Sequence, residues 1–182
     1  ASDVYKRQEP GGQAVSAQDL DENITDYERR ILDNIDQFGC HVTHVFDGEG
    51  EAPAFSYSTG FTHSLEQGEV IVFGLSSELM HAMVNGVMRQ CRDDGLVLAD
   101  GVRISGLLEG FEVAVRAIPP ARIEREYLNS AMWHHLSRYG SNLTQAYQLI
   151  WPGAVDGLFP WDEGCDDYVI SQQPALYQTS IH

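Results

Sequence analysis

The stretch Glu69-Val-Ile-Val-Phe-Gly-Leu75 constrains this chain more than any other, because a run so nearly free of polar side chains reads as a strand buried on both faces. The next segment is equally legible. Ser76 stands where a helix N-cap is needed, and Leu79, Met80, Met83, Val84, Val87, Met88 and Cys91 then fall on one stripe at helical spacing until Gly95, so a helix is expected over about 77–94. Upstream, Thr25 and Glu28 have the spacing of a capping box. Tyr27, Ile31, Ile35 and Phe38 recur behind them until Gly39 stops the helix. Residues 40–46 alternate, Asp47-Gly-Glu-Gly-Glu-Ala-Pro53 turns, and 54–61 resumes with aromatics, which predicts a hairpin.

Further on, 102–104 and 111–118 read as strands, Pro119-Pro120 breaks the chain, 121–138 reads as one or two helices and 146–151 as a strand. Helices and strands alternate without the regular period of a doubly wound sheet. The expectation is one α+β domain, with a curved, mainly antiparallel sheet containing 54–61, 69–74, 111–118 and 145–151 and flanked by helices. Its length of 182 residues and 43% hydrophobic content suit a single packed core. Residues 1–23 are expected to form a disordered leader before a domain at 24–182, with 1–8 resembling a translated adapter stub and the natural start missing or lying later.

Charge narrows the partners. With 27 acidic against 11 basic side chains, the net charge of −16 opposes non-specific attraction to a nucleic-acid duplex or an anionic membrane. Lys6 is the one lysine, so an anion would be met by arginine forks or backbone amides. Cys40, Cys91 and Cys165 have neither paired nor zinc-knuckle spacing, and no apolar run is long enough for a membrane span. A cytoplasmic protein without disulfides, metal or other cofactor is expected. His41 and His44 would fall on opposite faces of a strand, which argues against a shared metal.

Three groups of residues stand out as candidate sites. On a strand Phe55, Tyr57, Thr59 and Phe61 would share a face, Gly60 would admit close approach, and His63 would come next on a loop as donor, acceptor or proton carrier. The second group is Gln148, Trp151, Pro152, Phe159, Pro160 and Trp161, where Gln148 offers an amide edge and the rings a rigid wall. The third is Trp133-His134-His135 with Arg138 and Tyr139. There the two histidines point about 100° apart on a helix and are expected to be solvated. The expected ligand pocket comprises Tyr57, Thr59, His63 and Gln148, with Trp133 or Trp151 stacking on a base and Arg103, Arg116 or Arg138 meeting a phosphate.

Tyr57, Gly60 and His63, the strand closing in Phe73-Gly74-Leu75, and Gln148 with Trp151-Pro152 together resemble the bacterial and phage family DUF4262, over about 27–173. The chain departs from that pattern at Gly153, where Asp is common, and at Ser58-Thr59, where Thr-Val is common. The resemblance brings no reaction, but implies a small cytosolic protein suited to conflict between bacteria and their phages. The resulting expectation is non-catalytic sequestration of a small anionic nucleotide-type signal, such as a cyclic oligonucleotide, by a phage counter-defence sponge. Two alternatives stand beside it: a small hydrolase or phosphodiesterase using His63, and an acidic immunity-type protein binding a basic protein. Many aromatics and few lysines also lead to an expected homo-oligomer.

Overall fold

The structure, a computed structural model, describes residues 2–6 and 24–179. Its first helix, α1 (Asp26–Phe38), is capped at both ends as its sequence demands. Glu28 N donates to Thr25 Oγ1, Thr25 N donates back to Glu28 Oε2, and Gly39 closes the helix at φ 89°. Strand β2 (His41–Phe46) then pairs antiparallel with β3 (Phe55–Thr59). The loop between them is organised by the Asp47 carboxylate, which accepts the amides of Glu49, Glu51 and Ala52.

Gly60 ends β3. At φ 108° it turns the chain into the short helix α2 (Phe61–Leu65), whose other end, Glu66, is also left-handed at φ 55°. Two expectations change here. Phe61 does not continue the face of Phe55, Tyr57 and Thr59 but is fully buried in the opposite core beside Cys40, Val42 and Met80, and His63 sits on α2 rather than on a loop. The cause is the glycine, because a left-handed residue cannot continue a strand.

Strand β4 (Glu69–Phe73) is buried along its whole length, and α3 (Ser77–Asp93) comes next with Ser76 as its N-cap. Strands β5 (Arg103–Leu108) and β6 (Phe111–Ala117) form a bulged hairpin. A 3₁₀ turn at Pro120–Arg122 leads to α4 (Arg125–Tyr139), which is kinked where Leu128 leaves helical geometry. Strand β7 (Ala146–Ile150) and the short α5 (Asp167–Ser171) complete the described elements. At five residues α5 is too short to show a period in the sequence.

The α+β fold of the sequence reading is the fold observed. The sheet runs β1-β2-β3-β4-β7-β6-β5, where β1 is the backbone of Ser2–Lys6 lying parallel to β2. That strand falls inside the stretch expected to be a leader, and residues 7–23 of the same stretch lie outside the described residues. Within the rest of the sheet β4 and β7 pair parallel and the other neighbours antiparallel.

One face carries Val42, Val70, Val72, Val113, Val115 and Leu149 and is covered by α3 through Met80, Met83, Val84 and Val87, each of them 0% exposed. Burying such a side chain contributes about 1.5–3 kcal/mol. The other face carries Phe55, Tyr57, Ile71 and Phe73 and is covered by Leu128 and Ala131 of α4. The functional candidates divide between these two faces.

Candidate functional site

A cross-strand row on the α4 face sets Thr43 beside Tyr57, Tyr57 beside Ile71, Ile71 beside Gln148 and Gln148 beside Arg116. Its middle members serve the scaffold. The Tyr57 hydroxyl accepts Ser130 N at 3.0 Å, just past the kink at Leu128, and so fixes α4 over β3. Tyr57 is 2% exposed, and burial pushes its phenol up to about 12, so it stays a neutral hydroxyl. Its ring is enclosed in the core under α4, whereas the sequence reading places it in the lining of a ligand pocket.

Gln148 is committed too. Its Nε2 donates to Pro174 O at 2.7 Å and its Oε1 accepts Leu176 N at 3.0 Å, so the amide edge expected to face a ligand instead ties down the chain's C-terminal part. Gln148→Leu is expected to cost about 2–4 kcal/mol, because two backbone groups of the covering segment lose their partners. Chemical denaturation checks the loss, and faster proteolysis after residue 172 checks the release.

Trp151 lies in the α3-side core, across the sheet from Tyr57. Its Nε1 donates to Phe73 O at 2.7 Å, and its own N and O pair with the Gln173 amide. Arg103 and Arg116 belong to an aromatic ladder on β5 and β6. The Arg103 guanidinium lies 4.1 Å over Phe159, Phe159 stacks on Trp161, and Arg116 lies 4.9 Å from Trp161 and 4.6 Å from Tyr177 while pairing with Asp100. Their charges are held by rings and a carboxylate, away from Thr59 and His63.

Buried polar groups without partners among the described residues occur at the end of β3 and on the two helices α2 and α4. Thr59 is 0% exposed and its Oγ1 has no hydrogen-bond partner among the described residues. Three residues on, Thr62 of α2 has a buried Oγ1 in the same condition. His63, also on α2, has its ring 6.5 Å from that of His134 on α4, and Trp133, next along α4, carries a buried indole Nε1 without a partner among the described residues. Arg138 stands one turn later and is exposed.

His134 corrects an expectation. It is 3% exposed rather than solvated, and burial, helped by the charge of Arg138, lowers its imidazole to about 4, so the ring is neutral at physiological pH. No helical stripe announced that burial, because α4 owes it to docking on β3. His41 sits on the same side, buried under α1, with its Nδ1 2.8 Å from Asn34 Nδ2 and its ring edge-on to Tyr27.

Glu69 is the member that sequence reasoning overlooked. It heads the apolar strand at 2% exposure and gathers Ser58 Oγ at 3.0 Å, Gly60 N at 2.9 Å and Phe61 N at 2.7 Å, and so holds the turn from which α2 springs. A charged residue leading a fully buried strand was the available signal. Burial raises its carboxyl to about 7, against the lowering by its three donors.

Among the described residues no group of three or more His, Cys, Asp or Glu is arranged to hold a metal, and no helix is long and apolar enough to cross a membrane. No curated protein and no solved structure matches the chain. The family model for a domain of unknown function, DUF4262, matches residues 34–166. That span runs from α1 to the residue that caps α5 and takes in Thr59, Thr62, His63, Glu69, Trp133 and His134, so the chain belongs to the DUF4262 family.

Proposed function

We propose that the domain captures a small nucleotide-type ligand without turning it over, at the end of β3 between α2 and α4. The observation that carries this reading is that the hydroxyls of Thr59 at the end of β3 and Thr62 on α2 and the indole N–H of Trp133 on α4 are buried without partners among the described residues, while the His63 ring of α2 lies 6.5 Å from the His134 ring of α4. A buried polar group left unpaired costs about 1–3 kcal/mol, and a ligand that pairs it recovers that energy on binding. The indole can only donate, so the ligand must bring an acceptor such as a ring nitrogen, a carbonyl or a phosphate oxygen. Burial keeps His134 neutral, which suits recognition of a base edge better than proton transfer near neutral pH.

Of the three arginines considered for a phosphate, Arg138 is the one whose charge reaches this cluster. A net charge of −16 repels a free anion, so hydrogen bonds inside an enclosed site must outweigh the field of the whole molecule. A cyclic oligonucleotide combines base edges with few charges. Its sequestration would suit the phage and bacterial setting that the family resemblance implies.

The test is calorimetry with a panel of cyclic dinucleotides and trinucleotides, then denaturation and identification of what is released. Recovery of intact ligand supports the proposal, altered ligand replaces it with a hydrolase using His63, and no retention favours a basic protein partner. Thr59→Val and Trp133→Phe are expected to weaken binding about tenfold each, for one hydrogen bond apiece. Thr59→Val should also raise stability slightly, since an unpaired hydroxyl leaves a buried position. Lower affinity with higher stability separates a ligand contact from a scaffold residue.

A further inference from the structure

We infer that Glu69 is a positioning residue of this site: its carboxylate latches the Gly60 turn, and protonating the latch re-sets α2, the element that carries Thr62 and His63. The role assigned to α2 rests on the proposed ligand site, but the latch itself can be tested without a ligand.

The groups that hydrogen-bond to the Glu69 carboxylate are all donors: the Ser58 hydroxyl and the amides of Gly60 and Phe61. Such a ring matches an ionised carboxylate. A proton on either oxygen adds a donor among donors. On Oε1, which receives both Ser58 Oγ and Phe61 N, it must displace an amide or turn Ser58 around, and the Ser58 oxygen already receives Val70 N at 2.9 Å. On Oε2, which receives Gly60 N alone, it leaves a buried donor facing donors. Protonation therefore either displaces a contact on Oε1 or leaves the Gly60 amide held by a neutral, weaker acceptor.

The movement has a defined place to occur. Helix α2 has five residues and is bracketed by left-handed residues, Gly60 at φ 108° and Glu66 at φ 55°. A short element between two such residues can re-aim as a unit, carrying Thr62 and His63 with it. Each element packed against Glu69 adds little competing charge. Strand β3 offers the Ser58 hydroxyl, the chain before β7 offers the Gln145 carbonyl to Glu69 N, and Cys40 ahead of β2 offers a thiol. Burial pushes that thiol up to about 12, so it stays neutral, and Arg92 of α3 acts on Cys40 from an exposed position. His63 rides on α2 itself. The Glu69 carboxyl, raised to about 7 by burial, changes charge where a titration can follow it.

The experiment is amide NMR of the ligand-free protein from about pH 5 to about pH 9, run in parallel on His63→Gln so that Glu69 is the group followed. The expected result is that the Gly60 and Phe61 amides shift along one curve and that the amides of residues 62 and 63 share the same midpoint in both proteins. Static Gly60 and Phe61 amides would overturn the latch. So would movement of those two while residues 62 and 63 stay fixed. Glu69→Gln made in the His63→Gln background should flatten all four curves, and if that variant does not fold, the His63→Gln titration decides alone. A cyclic dinucleotide panel run at the two pH extremes separates the two readings. A latch that titrates in a protein that retains no nucleotide leaves Glu69 standing and removes the nucleotide.

Discussion

Glu69→Gln is expected to lose about 2–3 kcal/mol of stability as the pH falls from 6.5 to 4.5, whereas His134→Gln is expected to gain a similar amount over the same interval. The opposite signs come from opposite displacements. Burial raises Glu69 from 4.5 to about 7, so the folded state holds a proton that the unfolded chain releases above 4.5, and stability from this group falls as the pH rises from 4.5 towards 7. Burial lowers His134 from 6.5 to about 4, so its contribution is complete above 6.5 and is lost as the pH falls towards 4. At about 1.4 kcal/mol per pH unit, each of these displacements carries about 3 kcal/mol. In the parent the two slopes nearly cancel, and each substitution uncovers the other. Urea midpoints of the three proteins at pH 4.5, 5.5 and 6.5 measure this directly. Parallel pH curves for both variants would show that the assigned protonation states are wrong.

Gly60→Ala is expected to be the most damaging single-methyl substitution in the site, at about 2–5 kcal/mol. A residue with a side chain at φ 108° loses about 1–2 kcal/mol to backbone strain. The new Cβ would also stand 2.8 Å from Ile35 Cγ1 and 3.3 Å from the Gly39 carbonyl oxygen, and overpacking of that kind adds about 1–3 kcal/mol. Gly50→Ala supplies the control. It has φ 72° and nothing within 4 Å of the place a Cβ would take, so it should show the strain without the clash. Thermal unfolding of the two variants, compared with the parent, separates the terms. Equal shifts would mean that Ile35 and α1 give way at no cost.

What the sequence revealed was local. The Met and Val stripe of α3, the Thr25 capping box, the hairpin around Asp47 and the buried run of β4 depend on neighbours within a few turns, and each lies where its spacing places it. The candidate site depended instead on which elements meet. Nothing along Trp133-His134-His135 shows that α4 crosses β3 with His134 inward. Nothing near Gln148 shows that residues 174 and 176 come back to occupy its amide. Arg103 and Arg116 read as free cations until Phe159, Trp161 and Tyr177 fold over them. Glu69 was hidden by its own strand, because an acidic residue beside four apolar ones looks like an edge of the run, whereas its donors come from the turn after β3.

The parallel pairing of β4 with β7 bears on how the chain assembles. Strands β2, β3 and β4 form one antiparallel meander and β5, β6 and β7 another, while the seam between them joins Glu69 to Ala146 and Val72 to Leu149 across more than seventy residues. Most of the loop-closure entropy is therefore concentrated in one docking event. Either meander can form on its own timescale, but the covering of β3 by α4, and with it the meeting of His63 and His134, waits for the seam. The meeting of the His63 and His134 rings thus reports that the two halves have joined.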